Sequence, residues 1–159
     1  MSFQIDNFCI QSLMHYRKIV LAYDFSASGK RALERALAMA MLFDASLHLV
    51  HVVEYMVPMD TSFGSVSPFE VDLTEELVKA AKHRMTQLVS QLECPRLHWR
   101  VELGSPKVEI IRVAEEVKAD LIVVGSHGRH GLGVILGSTP ASIVNHAPCD
   151  VLSVRLREM

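Results

Sequence analysis

Short runs of β-branched and other apolar residues alternate along the chain with longer stretches in which apolar residues recur every three or four positions. Five of the short runs are predicted to be strands: residues 18–23, 46–53, 97–103, 119–124 and 151–155. Strands of this composition, separated by helical stretches, are typical of a parallel sheet covered on both faces. The pattern therefore predicts an α/β fold with a single doubly wound, five-stranded parallel sheet.

The first two helical stretches carry recognisable start signals. Residues 30–43 place apolar side chains on one face, and either Ser26 or Ser28 is expected to be the N-cap. The second helix is expected to begin at the capping-box-like sequence Asp72-Leu-Thr-Glu75.

Two further helices are predicted in the second half of the chain. At Ser105-Pro106 a hydroxyl is expected to cap a helix whose first position is the proline. A short helix is expected near residues 139–146, where Ala147-Pro148 ends it. Each predicted helix therefore lies between two predicted strands.

The connection 54–71 is unusually long for a compact domain and is rich in Met, Phe, Pro, Gly and Ser. Connections of this length are commonly a functional lid or a mobile segment. A plain surface loop is the alternative, and the sequence does not decide between them.

A chain of 159 residues suits one domain, which we assign to residues 16–159. Residues 1–15 precede the alternating pattern and form an N-terminal extension. Three alternatives are open for this extension: it is frayed, it packs on the domain through its apolar residues, or translation begins at Met14.

The charge of the chain indicates which partners to exclude, and its cysteine content indicates the cellular compartment. The net charge is −2 and no long run of one sign occurs, so polymeric nucleic acid and anionic membranes are not expected partners. No stretch approaches the roughly 20 apolar residues of a membrane span. Three cysteines without metal spacing suggest free thiols in the cytoplasm, with Cys149 buried beside a strand.

A glycine-rich loop, residues 125–138, lies between a buried strand and a helix. Ligands of open α/β sheets bind at the carboxyl ends of the strands, and glycines allow the backbone to approach phosphate closely. Ser138 and Thr139 offer hydroxyl donors there. The loop matches neither the dinucleotide fingerprint nor the P-loop, so its spacing alone assigns no function.

The histidines do not form a metal site by their spacing. His127, His130 and His146 lack the i, i+4 helical spacing of zinc ligands and have no accompanying carboxylate. His48 and His51 are three apart on a predicted strand and should point to opposite faces. No metal is therefore expected.

Several stretches together resemble the universal stress protein family. They are Val123-Val-Gly-Ser-His-Gly-Arg-His-Gly-Leu, Gly137-Ser and Asn145-His-Ala-Pro-Cys-Asp-Val-Leu near the carboxyl end, with Ile19-Val-Leu-Ala-Tyr-Asp, Leu49-Val-His-Val-Val and Gly104-Ser-Pro-Lys-Val-Glu-Ile-Ile before them. The resemblance covers residues 16–156. It implies the strand order 3-2-1-4-5.

In nucleotide-binding members the loop has the sequence Gly-x2-Gly-x9-Gly-Ser/Thr. The phosphates of the bound nucleotide lie on these glycines. The resemblance implies bound ATP or AMP, with or without Mg²⁺. The matching residues are Asp24 near the base or ribose, Val52 at the adenine, and Gly125, Gly128, Gly137 and Ser138 in the loop, with Thr139 beside them. Here eight residues, 129–136, separate the second and third glycines, so the phosphate geometry departs from the pattern.

Three of these residues have alternatives. Asp24 contacts adenosine, caps the following helix, or does both. His127 and Arg129 either donate to phosphate or are solvated loop residues.

The resemblance implies an adenine-nucleotide-binding stress or signalling module without assigned catalytic residues. The alternatives are a dimer that binds no nucleotide and a slow ATP hydrolase. A homodimer is expected in which the last strand pairs antiparallel with the same strand of a second copy, through Val151, Leu152, Ser153, Val154 and Arg155.

Overall fold

The computed structural model describes residues 16–54, 68–126 and 138–155, with only the backbone described for residues 68–72. The predicted N-terminal extension and most of the long connection 54–71 lie outside the described residues. The strands are β1 (Lys18–Ala22), β2 (Ser46–Val53), β3 (Leu97–Leu103), β4 (Leu121–Gly125) and β5 (Asp150–Val154). The helices are α1 (Ala27–Phe43), α2 (Pro68–Val89), α3 (Pro106–Val117) and α4 (Ser138–His146).

The strands form one sheet of order β3-β2-β1-β4-β5, and every neighbouring pair is parallel. This confirms the predicted doubly wound α/β fold and its strand order. β1 is central and pairs with β2 and β4, so that Ile19 lies beside Leu47 on one side and Leu121 on the other. The chain order reverses between β1 and β4.

Alternate residues of the central strands pack on opposite faces of the sheet. On the α1–α2 face, Ile19, Leu21, Leu47 and Leu49 are fully buried with Met85 of α2. The other side is the α3–α4 face, where the buried residues are Val20, Val50, Ile122, Val113 and Ile143. The continuous apolar runs of β1 and β4 follow from burial on both sides.

Two predicted helix starts are wrong in detail. α1 begins at Ala27, earlier than residue 30, and Ser26 is its N-cap because its Oγ accepts from the Gly29 N–H at 2.9 Å. α2 begins at Pro68 and not at Asp72. Proline is favoured at the first helical position, since it has no N–H to leave unpaired, so the capping-box-like sequence lies inside the helix.

α3 begins at Pro106 as predicted, but the Ser105 hydroxyl does not cap it. The Ser105 carbonyl oxygen instead accepts from the N–H groups of Val108 and Glu109, each at 2.9 Å. The predicted limits of three strands also shift, since β1 ends at Ala22, β4 begins at Leu121 and β5 begins at Asp150. Asp120 is not in β4, and its Oδ2 accepts from the N–H groups of Arg17 and Lys18.

The edge strand β3 carries charges on the α3–α4 face. Arg100 Nη1 lies 3.0 Å from Glu116 Oε1, and Arg112 Nη2 lies 2.8 Å from Glu102 Oε2. Arg112 also pairs with Glu109 at 2.8 Å. The hydrogen bond from Arg100 lowers the pKa of Glu116 below its usual range. These pairs connect the outer edge of the sheet to α3.

The two histidines of β2 point to opposite faces, as predicted. His48 stacks on His98 of β3, with ring centroids 4.8 Å apart. His51 is buried on the α1–α2 face. Cys149 precedes β5 and is only partly buried, so the prediction of a buried thiol is partly right. Its burial and the nearby Asp150 raise the pKa of the thiol to about 11.

Within the described residues, no helix has both the length and the apolar character needed to cross a membrane.

Candidate functional site

The reversal of strand order between β1 and β4 is where an open α/β sheet leaves a crevice for a ligand. β1 ends at Ala22 and continues into the turn that starts α1, whereas β4 ends at Gly125 and leads into the glycine-rich loop. Both lie at the carboxyl edge of the sheet. The described part of the candidate site consists of the turn between β1 and α1, the end of β4 and the start of α4.

Asp24 organises the turn between β1 and α1. Its Oδ1 accepts from the Ser26 N–H at 3.0 Å and from the Ser26 hydroxyl at 2.6 Å. The same hydroxyl oxygen accepts from Gly29, so Asp24 holds the residue that caps the helix. Asp24 is therefore not itself the N-cap that one alternative predicted. Its structural role is indirect, through Ser26.

The turn between β1 and α1 and the end of β4 touch through glycines. A Cβ atom at Gly125 would lie 2.5 Å from Ser28 Oγ and 3.0 Å from the Ser28 carbonyl carbon. A Cβ at Gly29 would overlap Asp24 Oδ1. Because both positions lack side chains, the first turn of α1 packs directly on the start of the glycine-rich loop.

The strand ends at this edge are also fastened by backbone hydrogen bonds. The Ser126 N–H donates to the Val154 carbonyl at 2.9 Å, and the Tyr23 N–H donates to the Val50 carbonyl at 2.8 Å. Ser28 and Ser126 are both buried. These hydrogen bonds join the end of β1 to β2 and the end of β4 to β5 at the carboxyl edge of the sheet.

Helix N-termini provide backbone N–H groups that favour an anion. α4 begins with Ser138 and Thr139, and neither α1 nor α4 has an acidic residue in its first turn. Ser138 is exposed. These two residues therefore offer hydroxyl and N–H donors at the predicted end of the loop.

Val52 lies near the carboxyl end of β2 and packs against the core of the α3–α4 face. It is partly exposed. Asp24, Val52, Gly125, Ser138 and Thr139 thus all lie at ends of elements, as the sequence predicts. His127, Gly128, Arg129 and Gly137 lie outside the described residues.

A cluster of rings on the α1–α2 face adjoins the site, and the sequence did not predict it. Phe25 contacts Tyr23 and His51 edge to face, with centroid distances of 4.9 and 4.8 Å. The Arg84 guanidinium of α2 lies 3.8 Å from the Phe25 ring centroid. Phe25 has φ of 62°, in the left-handed region. The turn that contains Asp24 is therefore stabilised by the contacts of Phe25 with β2 and α2.

The His51 side chain also stabilises this turn through a hydrogen bond to the backbone of Tyr23. Its Nδ1 lies 2.7 Å from the Tyr23 carbonyl oxygen, and Nδ1 must be the donor because a carbonyl only accepts. Burial and the charge of Asp24 raise the pKa of the Tyr23 phenol. The only sequence signal for this cluster was the aromatic residue between Asp24 and Ser26.

Comparison with known proteins agrees with this architecture. A sequence model described as the universal stress protein family matches residues 15–155. Universal stress protein A homolog 2 of Coxiella burnetii is 38% identical over 144 residues, which cover 90% of this chain and 97% of that protein.

Solved structures are also similar to this chain. The universal stress protein UspA from Lactobacillus plantarum has a TM-score of 0.76 and 29% identity, covering 89% of this chain and 99% of its own. A universal stress protein crystallised in complex with cAMP has a TM-score of 0.57 and 28% identity, covering 88% and 97%. The chain therefore belongs to the universal stress protein family.

Proposed function

We propose that the protein binds an adenine nucleotide, ATP or AMP, at the crevice between β1 and β4, and acts as a stress-response or signalling module. The observation that carries the proposal is the contact of Gly125 with the first turn of α1 at the point where strand order reverses. A structural relative in complex with cAMP supports the same ligand class.

In this proposal the phosphates lie along residues 125–139, with Gly125, Gly128, Gly137, Ser138 and Thr139 as donors or close contacts. His127 and Arg129 add charged or polar donors, and Mg²⁺ accompanies the phosphates when ATP is bound. Asp24 faces the base or ribose, and the backbone of Val52 faces the adenine. The bound nucleotide changes the shape of this edge of the sheet and so the choice of partner.

The first experiment is to denature the purified protein and identify any released adenine nucleotide by mass spectrometry. ATP and AMP are then titrated into the emptied protein by calorimetry, and ADP formation is followed in parallel to test for slow hydrolysis. Gly128→Val should weaken binding at least tenfold, because a branched side chain would occupy the approach of the phosphate. Gly128→Ala should lose less. Equal affinities of all three proteins, each folded, would contradict the assignment of the loop.

Asp24 is expected to contribute to affinity beyond its role in the turn. Asp24→Ala should reduce nucleotide affinity severalfold and cost about 1 kcal/mol of stability, because Ser26 loses the two hydrogen bonds that hold it at the helix start. Ser26→Ala is the matched control, since it removes the hydroxyl that caps α1 and leaves the carboxylate. If both variants lose the same affinity, Asp24 acts only through the turn.

The proposal includes a homodimer formed through residues 151–155. β5 is an edge strand with apolar side chains, and an unpaired edge is a template for a further strand. Light scattering at tens of micromolar should give a dimer, which Ser153→Pro should convert to a monomer of unchanged circular dichroism. A wild-type protein that remains monomeric would refute this part. Free thiols at Cys94 and Cys149 support a cytoplasmic location.

A further inference from the structure

A cavity of about 320 Å³ lies on the α1–α2 face beside the edge strand β5. Leu152 and Val154 form its apolar floor, and Arg31, Arg35 and Arg155 surround it. Arg31 pairs with the exposed Glu34 at 3.3 Å. Within the described residues Arg35 and Arg155 have no ion pair, so the cavity carries an excess of positive charge.

The direction of the backbone at this edge follows from one hydrogen bond. The Val154 carbonyl accepts from Ser126 at the end of β4, so Val154 directs its backbone polar groups toward β4. These groups alternate in direction along a strand, so Val151 and Ser153 direct their N–H and C=O outward. A strand added at this edge would bond to these two residues.

The same strand carries an acid at its other end. Asp150, Leu152 and Val154 are two residues apart along the strand, so their side chains lie on the same face of the sheet. Its Oδ2 accepts from the hydroxyl of Tyr16 at 3.0 Å, and Tyr16 packs against the core of that face. β5 thus begins with a carboxylate and ends among arginines on one side of the sheet.

We propose that this cavity receives Asp150 of a second copy, and that the two-fold axis passes beside Leu152. The inference rests on the proposed homodimer and specifies its register. Two antiparallel copies of β5 place the acidic start of each strand beside the basic end of the other. The site is thus incomplete in one copy.

Only certain registers place opposite side chains on the same face and also allow Val151 and Ser153 to form hydrogen bonds with the second copy. Residues directly opposite in an antiparallel pair point to the same face. With the axis at Leu152, Asp150 lies opposite the partner's Val154, under the arginines, and Val151 exchanges hydrogen bonds with the partner's Ser153. An axis at Ser153 is the competing register, because it pairs two Ser153 hydroxyls, each of which is buried and has no hydrogen-bond partner among the described residues. That register leaves the arginines of both copies crowded together without the carboxylate.

Disulfide trapping distinguishes the two registers. In a chain with its own cysteines replaced by serine, Leu152→Cys should form a covalent dimer under mild oxidation. Opposite residues that are not hydrogen-bonded to each other lie about 4.5 Å apart between Cα atoms, within disulfide reach. Ser153→Cys, the matched control, should remain largely uncrosslinked. Trapping by Ser153→Cys and not by Leu152→Cys would overturn the proposed register while keeping the homodimer.

Charge reversal tests the role of the cavity. Asp150→Lys and the double variant Arg31→Glu, Arg35→Glu should each raise the Kd of the homodimer at least tenfold, because like charges then meet. Mixing the two proteins should restore a heterodimer, since each contact again joins opposite charges. Native mass spectrometry measures the three species.

Two controls separate the contact from damage to the fold. Tyr16→Phe removes the hydrogen bond to Asp150 without changing charge and should leave the Kd within twofold of wild type. Circular dichroism should show each reversed chain folded. Weakened homodimers that show no preference for the mixed pair would overturn the proposal, and a monomeric wild type would refute the homodimer itself.

Discussion

Phe25 shows how a single residue stores and offsets strain beside the candidate site. Its φ of 62° is unfavourable for a residue with a Cβ, by about 1 kcal/mol. Contacts with Tyr23, His51 and Arg84 hold it there. The residue therefore connects β1, β2 and α2 at the turn that carries Asp24.

This conformation predicts an unusual order of stability. Phe25→Ala loses the ring contacts and keeps the strain, whereas Phe25→Gly loses the contacts and releases the strain. Phe25→Gly should therefore be more stable than Phe25→Ala, by about 1 kcal/mol, although glycine usually destabilises. Urea unfolding measures both. Leu37→Ala against Leu37→Gly, within α1, is the control pair and should show the usual order; the same order at both positions would contradict the left-handed assignment.

Among the elements, the contact of β4 with α1 tolerates no side chain at Gly125. Gly125→Ala should cost about 1–3 kcal/mol, because the new methyl group meets both the hydroxyl and the backbone of Ser28. Adding Ser28→Gly removes the side-chain part of the clash. The double variant should therefore lose less stability than the sum of the losses of the two single variants. Thermal unfolding of the four proteins measures this coupling. Strictly additive effects would show that Gly125 and Ser28 do not pack together.

The elements differ in how far the sequence specifies them. Buried runs such as 18–23 identify strands because both faces of the sheet require apolar side chains, which leaves a pattern visible locally. Ser105 and Asp72 misled the prediction, since a residue suited to capping does so only when the backbone presents a free N–H. α2 begins at Pro68 because proline is favoured at the first position of a helix.

The candidate site divides in the same way. Asp24 and Gly125 could be proposed as site residues from the sequence, because strand ends and glycines are visible there and in the family pattern. The cluster of Phe25, His51 and Arg84 was missed, because it joins three elements that are distant in sequence. The arginine cavity was missed for the same reason, since α1 and β5 meet only after the sheet forms.

The molecule as a whole should lose stability as the pH falls, through His48. Its burial, together with the positive charges of His98, Arg100 and Lys18, lowers the pKa of His48 from 6.5 to about 4. Between these values the unfolded chain takes up a proton that the folded protein does not. Stability is therefore complete above pH 6.5 and declines as the pH falls toward 4.

We expect this loss to be on the order of 1–2 kcal/mol, because solvent screens the partly buried ring. His48→Gln should make the free energy of unfolding less dependent on pH in this window. His83→Gln, which changes an exposed histidine of α2, should keep the wild-type slope. Urea titrations at several pH values measure the slopes, and identical slopes for His48→Gln and wild type would rule out His48 as the source.

The charged outer strand β3 has a consequence for how far copies of this protein can aggregate. A pair joined two-fold at β5 uses the same edge from each copy, so both outer borders of the doubled sheet are β3. There Arg100 and Glu102 are already tied to α3, and a further strand would have to lie against those charges. For the proposed dimer, growth by strand addition should therefore stop at two copies, and concentrated protein should not form fibres.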